Sequence, residues 1–464
     1  VSARGYRSAG DSVRDPVGNP VVIVGAGFGG IQAARTLARQ GVSVLLIDRQ
    51  PYHLFTPFLH QVAMAELEPD QVGIPIRRLL RSSPKVQFLQ ADVQAIRWDK
   101  QRLETSAGQV SFEYLVLATG SFTHAEVPGA AQHTLPLKTL PQAIELRNHI
   151  LSRVEQAVNE PDPAHQQRLL TFAVIGGGST GVEVAGSLAE WIQEGLSKDY
   201  SMLDRSPLKG KGFASQFRLM VLHSGDRLLE TMAPRLSRYT ERQLKRLGVE
   251  VWLHSRVTQV KAGRITVQTG NLQTDDLQTG DHVNLIEAET IVWAGGIQVK
   301  VPELWRLPTA PSGRAATLAS LNLPEHPKVY AIGDLAEVGW NDQALPMLAP
   351  TADAQGKAVA QNILRQMQGQ PPLPYRHNDR GTMAILSRFR AVVQRGKFTM
   401  TGFPAWLLWL GFHWFILPGM RQRILVLIHW MSNHLRHDRI PAAVLRSSLQ
   451  DSSTQNKTYS ARSR

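Results

Sequence analysis

The chain is marked by short, unbroken apolar runs rather than by long alternating ones. Val21-Val22-Ile23-Val24, Phe172-Ala173-Val174-Ile175, Leu219-Met220-Val221-Leu222 and Val329-Tyr330-Ala331-Ile332 hold no charged residue. Tyr114-Leu115-Val116-Leu117 and Thr290-Ile291-Val292-Trp293 read the same way. A strand buried on both faces loses the in-out alternation, so these runs predict parallel strands covered by helices. Between the first run and a further strand, Val42 to Ile47, lies a helical stretch, Ile31 to Gln40, closed by Gly41. The pattern is that of an α/β chain.

Two of the runs pass directly into glycine-rich turns. Gly25-Ala26-Gly27-Phe28-Gly29-Gly30 and Gly176-Gly177-Gly178-Ser179-Thr180-Gly181 both fit G-x-G-x-x-G between a strand and a helix. In that motif the first glycine makes the tight turn, the second lets backbone approach a pyrophosphate, and the last lets helix pack on strand. The pyrophosphate rests on the helix N-terminus. Asp48 follows the Val42–Ile47 strand, where an acidic residue binds a ribose hydroxyl, so the first unit suits an adenosine with a free 2′-OH, as in FAD. Two such turns point to two dinucleotides, a flavin and the nicotinamide that reduces it. Ala118-Thr119-Gly120 and Ala294-Gly295-Gly296 stand in the same place relative to each fingerprint, which predicts a duplicated plan of two Rossmann-like domains.

Composition narrows the chemistry. None of the 464 residues is cysteine, which removes disulfides, thiolate metal sites and redox by a cysteine pair. The net charge is +13, yet no nucleic-acid-binding module is recognisable, and residues 395–464 hold ten Lys/Arg against Asp438 and Asp451. Val1 to Pro20 is polar and is read as a disordered arm without a signal peptide.

The apolar stretch Ala405 to Leu417 carries no charge and stops at Pro418-Gly419, and a shorter run spans Ile424 to Met431. Neither reaches the roughly 20 residues of a spanning helix. With Trp406, Trp409, Trp414 and Trp430, and with Arg421, Arg423, Arg436 and Arg439 as basic flanks, the pair is expected to lie in one leaflet. A helix pair buried in a dimer interface fits the same pattern.

The order of these motifs, closed by Tyr330-Ala331-Ile332-Gly333-Asp334, resembles the two-dinucleotide-binding-domain flavoproteins. Within them the chain resembles the type II NAD(P)H:quinone oxidoreductases over about residues 20–440. His53-Leu54-Phe55-Thr56-Pro57-Phe58-Leu59-His60-Gln61-Val62-Ala63 is similar to the family's H-L-F-x-P-L-L-Y-Q-V-A, with His60 where the family has Tyr. Thr180-Gly181-Val182-Glu183 and Ala349-Pro350-Thr351-Ala352-Asp353-Ala354-Gln355-Gly356 resemble its T-G-V-E and flavin-covering segments.

The resemblance implies a flavoenzyme that takes hydride from NADH or NADPH onto FAD and reduces a membrane quinone without proton pumping. It is expected as a homodimer at the cytoplasmic face of the membrane, held peripherally by its tail. A slow redox sensor and a reductase of a soluble protein acceptor stay as alternatives; sulfide:quinone reductase needs cysteines and is excluded. The expected division is a disordered arm at 1–19 and FAD-binding parts at 20–140 and 301–395. A nicotinamide-binding domain occupies 141–300, membrane-association helices 396–440 and a disordered tail 441–464.

Glu183, placed in the first turn of its helix and kept ionised by it, orients the carboxamide, tunes hydride transfer or simply complements the helix dipole. Gln355 offers an amide to the quinone, and Arg380 replaces a family lysine near the flavin. Cofactor contacts are expected from Gly25, Gly27, Gly29, Gly30, Asp48, Arg49, His53, Thr119, Gly120, Gly333, Asp334 and Ala352. They are also expected from Gly176, Gly178, Thr180, Gly181, Glu183, His223 and Gly295, with no metal site. His53 and His60 either relay a proton or are structural, and Asp334 either binds the ribityl chain or caps a helix. His223 stands where NADH-specific members usually have Glu, next to Ser224 and Arg227. The segment before it adds Lys198, Arg205, Lys209, Lys211 and Arg218 against Asp199 and Asp204. NADPH is therefore expected to be accepted at least as well as NADH, unless Asp226 reaches the ribose.

Overall fold

The computed structural model describes residues 21–200, 213–270, 282–340 and 343–436. The arm expected at 1–19, the tail expected at 441–464, Arg439, and Asp204, Arg205, Lys209 and Lys211 of the basic segment lie outside the described residues.

The unbroken apolar runs supply most of the strands of two five-stranded parallel sheets built on one plan. The first has the order Val329–Ala331, Tyr114–Leu117, Val21–Val24, Val44–Asp48, Val86–Gln90. The second has the order Leu135–Pro136, Thr290–Trp293, Thr171–Ile175, Arg218–Leu222, Val249–Trp252. The strand before each glycine turn is central, with Val24 opposite Ile47 and Leu117, and Ile175 opposite Leu222 and Trp293. The duplication goes further than the motifs. Each unit has a three-stranded antiparallel accessory sheet: Val93–Arg97, Arg102–Thr105 and Gly108–Ser111 in the first, and Ser255–Lys261, Arg264–Thr269 and His282–Glu287 in the second.

The first turn's helix runs Phe28–Arg39, starting earlier than the apolar pattern suggests. Gly29 and Gly30 lie inside it because helix and strand must approach closely there; a Cβ on Gly30 would overlap the Gly25 carbonyl. The chain crosses between units at Phe122–Thr123 and Ile297–Gln298, which pair antiparallel. Val329–Ala331 then returns to the first sheet, so that unit is discontinuous. Across the Phe28–Arg39 helix lies the Ala349–Met367 helix, and the two touch where Gly356 meets the Gly29 backbone.

A third sheet, Thr382–Ser387, Arg390–Arg395 and Phe398–Thr401, packs on the second unit's helix, Ser179–Glu190. Gly186 permits that contact, since a Cβ there would overlap the Leu386 carbonyl. The tail forms helices Gly402–Ile416 and Met420–Arg436. No described helix is long and apolar enough to cross a membrane.

The tryptophans of the tail correct one expectation. Trp406, Trp409 and Trp430 are buried, in one core with Phe55 and Phe58 and the second unit's strands. Trp409 and Trp430 ring centroids lie 5.7 and 5.3 Å from that of Phe58, and Trp414 Nε1 donates to the Arg423 carbonyl at 2.9 Å. These large rings fill the groove beside Phe58, leaving Leu407, Leu408, Phe415, Ile424, Leu427 and Ile428 to face outward. Arg423 also turns inward, its Nε donating to the Leu417 carbonyl at 2.8 Å, while Arg421 lies 3.7 Å from Asp70.

Candidate functional site

The first glycine turn is braced from three directions. Gly25 sits at φ +103°, its N–H donating to Ile47 at 2.8 Å, and a Cβ there would overlap the Ala118 carbonyl of the Ala118-Thr119-Gly120 turn. Ala26 N–H donates to Asp48 Oδ2 at 2.6 Å, and Gln50 N–H to Asp48 Oδ1 at 2.8 Å; burial raises the Asp48 carboxyl above its usual range. His53 Nδ1 donates to the Ala26 carbonyl at 2.8 Å, and burial pushes its pKa down to about 4. That value leaves the ring uncharged at neutral pH, with its one hydrogen bond among the described residues bracing the Ala26 carbonyl. Arg49 is exposed beside the turn.

At the heart of this turn is open space. A Cβ added to Gly27, the helix N-cap, meets nothing within 4 Å. That is the shape required by a pyrophosphate resting on a helix N-terminus.

Residues far apart in sequence close the other side. Gly333 N–H donates to Gln355 Oε1 at 2.6 Å, and Ala352 borders both Gly333 and Gly29. Gln355 is buried, and its amide nitrogen has no hydrogen-bond partner among the described residues, which suits a ligand with an acceptor. Ser121 Oγ donates to Asp334 Oδ2 at 2.5 Å and receives Lys138 Nζ at 2.9 Å, with Lys138 Nζ also 3.8 Å from Asp334. Lys138 is half-buried, and burial lowers its pKa, with Asp334 opposing. Lys138 and Ser121 are absent from the expected set; a lysine before the Thr139-x-x-Gln142 capping box reads as surface charge in sequence. Arg380, half-exposed, pairs with Asp353 at 3.6 Å.

The second turn repeats the first. Gly176 N–H donates to Leu222 at 2.9 Å, a Cβ on Gly176 would overlap the Ala294 carbonyl beside Gly295, and one on Gly181 would overlap Gly176. Gly178 is the N-cap and faces open space, as Gly27 does, with Thr180 exposed beside it. His223 takes the place of Asp48: its Nδ1 accepts the Gly177 N–H at 3.2 Å.

Glu183 departs from its expected state. It is the fifth residue of the Ser179–Glu190 helix, beyond the first turn, where it accepts the Ile385 N–H at 3.3 Å. Its Oε2 lies 3.9 Å from Nδ1 of buried His60. Burial pushes its carboxyl up to about 8, which favours the protonated form over the ionised one expected. The third sheet, which covers it, outweighs the helix dipole.

The profile of the pyridine nucleotide-disulphide oxidoreductases matches residues 19–356. A type II NADH:quinone oxidoreductase of Mycobacterium tuberculosis is 32% identical, over 90% of this chain and 89% of that one. The type II NADH:quinone oxidoreductase of Haemophilus influenzae is 26% identical, over 80% and 86%. Among solved structures, NDH2 from Plasmodium falciparum in complex with NADH superposes with a TM-score of 0.82 at 17% identity, covering 92% of this chain and all of that one.

Proposed function

The chain belongs to the type II NADH:quinone oxidoreductases, within the pyridine nucleotide-disulphide oxidoreductase family, and we propose that it carries electron pairs from NADH through bound FAD to a membrane quinone, without pumping protons. The observation that carries this reading is the matched pair of glycine turns, each with an open cradle at its helix N-terminus, at Gly27 and Gly178. The disulphide of the wider family's name has no counterpart in a chain without cysteine.

When bound, FAD supplies the hydride acceptor and the two-electron donor. In this proposal Gly27 and the Phe28–Arg39 helix receive its pyrophosphate, Asp48 its ribose, and Asp334, steadied by Ser121 and Lys138, its ribityl chain. Gly178 and the Ser179–Glu190 helix receive the NADH pyrophosphate. The reaction consumes NADH, one proton and quinone, and yields NAD⁺ and quinol. The hydride brings one hydrogen, so one proton must come from the protein side. Glu183, its protonated form favoured by burial beside His60, is the group assigned to hold it. The Gln355 amide nitrogen donates to the quinone, and Arg380 with Asp353 steadies the loop beside it.

The membrane contact is assigned to the outward apolar face of the two tail helices. Its support is the exposure of Leu407 and Phe415 on one helix and of Ile424 and Ile428 on the other, large apolar side chains on both.

The test is the visible spectrum of the purified protein, an anaerobic titration with NADH, and steady-state turnover with a short-chain quinone. A flavin spectrum bleached by NADH and restored by quinone is expected. A colourless protein overturns the reading; a flavin reduced but not reoxidised by quinone favours a sensor or a soluble acceptor.

A further inference from the structure

The carboxylate missing from the end of the second unit's strand is supplied from another part of the chain. In the first unit Asp48 accepts the turn amide of Ala26 at 2.6 Å. His223 holds the equivalent register and accepts the turn amide of Gly177 at 3.2 Å. The larger ring also accounts for glycine at 177 where the first turn has Ala26, since a Cβ there would lie 2.7 Å from His223 Cγ. An amide N–H can only donate, so Nδ1 carries no proton in this bond and the proton of the neutral ring sits on Nε2.

Nε2 makes no hydrogen bond among the described residues, but Glu230 Oε1 lies 3.3 Å from it, on a side chain that is half-exposed. Gly225 makes room for it, because a Cβ at 225 would overlap that oxygen. Arg227, the cation of the loop, is folded back: its Nη2 donates to the Glu230 carbonyl at 3.0 Å and its Nη1 is 4.0 Å from Asp226. A carboxylate thus stands against the residue whose place, in this type of unit, is beside the ribose 2′-OH.

We propose that Glu230 is the specificity residue of the second unit: it accepts from a free 2′-OH, repels a 2′-phosphate, and makes NADH preferred over NADPH. This rests on assigning the second glycine turn to the nicotinamide dinucleotide, and it is the reverse of what the loop composition suggests. Like charges brought together on binding are a strong source of discrimination.

The experiment compares kcat/KM for NADH and NADPH, with a short-chain quinone, in the flavin-loaded wild type, Glu230→Gln and Gly225→Ala. The second variant leaves the Glu230 charge in place and displaces its carboxylate, though its Cβ would also lie 2.9 Å from His223 Nε2, so it supports the test only if its ratio moves with that of Glu230→Gln. Calorimetry adds a readout without turnover, using adenosine 2′,5′-bisphosphate and 5′-AMP as probes. The wild type is expected to prefer NADH by about tenfold or more, and each variant to shrink that ratio roughly tenfold, the scale of one charged hydrogen bond. Both variants should bind the bisphosphate more tightly and 5′-AMP no more tightly than wild type. His223→Glu in the Glu230→Gln background should restore the preference. A wild-type ratio near one, or variants with an unchanged ratio, overturns the role of Glu230. If NADH fails to bleach the flavin and neither adenosine probe binds, the assignment of the turn is wrong and the inference falls with it.

Discussion

Gly27 and Gly178 occupy one place in two copies of a turn, and both face open space. A valine at either site meets no protein atom within 4 Å at its Cβ, so the fold should tolerate it, at a cost of about 1 kcal/mol for a poor N-cap. Gly27→Val is expected to purify without flavin colour. Gly178→Val should keep its flavin and lose reduction by NADH; absorbance spectra distinguish the two, and flavin missing only from the second would reverse the assignment of the units. Glu183 carries a pH signature. Its carboxyl titrates near 8 in the folded protein against an ordinary 4.5. Between those values the folded protein holds a proton that the unfolded chain has released, so stability falls as pH rises through this window and levels off above it. Glu183→Gln removes the penalty: it should match wild type near pH 5 and be more stable at pH 9, by on the order of 1–3 kcal/mol, in denaturant melts. If its proton serves quinone reduction, wild-type turnover falls above about pH 8 while the variant is slow and flat with pH.

At the scale of elements, two contacts set the geometry. The Phe28–Arg39 and Ala349–Met367 helices meet at Gly29 and Gly356, where an added Cβ on Gly356 would overlap the Gly29 carbonyl. Gly356→Ala should therefore push the helices apart, lower stability by roughly 1–3 kcal/mol as overpacking does, and loosen flavin binding. Thermal melts and flavin release on dilution measure both effects. The tail helices have two unlike faces. Trp409 is 1% exposed and belongs to the core, whereas Phe415 is 68% exposed. Leu407→Glu combined with Ile428→Glu touches only the outer face, so the melting temperature should hold while flotation with lipid vesicles is lost; each buried side chain of this size is worth about 1.5–3 kcal/mol of transfer energy. Unchanged flotation would move the membrane contact elsewhere.

For the whole molecule, the tail is not a detachable anchor. Trp406, Trp409, Leu417, Val426 and Trp430 share a core with Phe172, Val221 and Val292 of the second unit. Deleting the chain from residue 402 removes several buried aromatic side chains, each worth about 3–5 kcal/mol, against a total stability of about 5–15 kcal/mol. The truncated protein should aggregate or lack a cooperative melt, and a soluble, cooperatively melting one would show that the tail is separable after all. What the sequence by itself determined is the part written in neighbouring residues. Unbroken apolar runs specify strands buried on both faces, glycines at fixed offsets specify the two turns, and the lack of cysteine removes thiol redox chemistry. Tertiary structure alone decided which way the tryptophans face, whether Glu183 is charged and what stands beside His223. Burial and charge depend on groups brought together from distant positions: Ile385 over Glu183, Phe58 under Trp409, and Glu230 folded back across Gly225 onto His223. Local pattern carries no record of such meetings, because a side chain's environment is set by the fold and not by its neighbours in the chain.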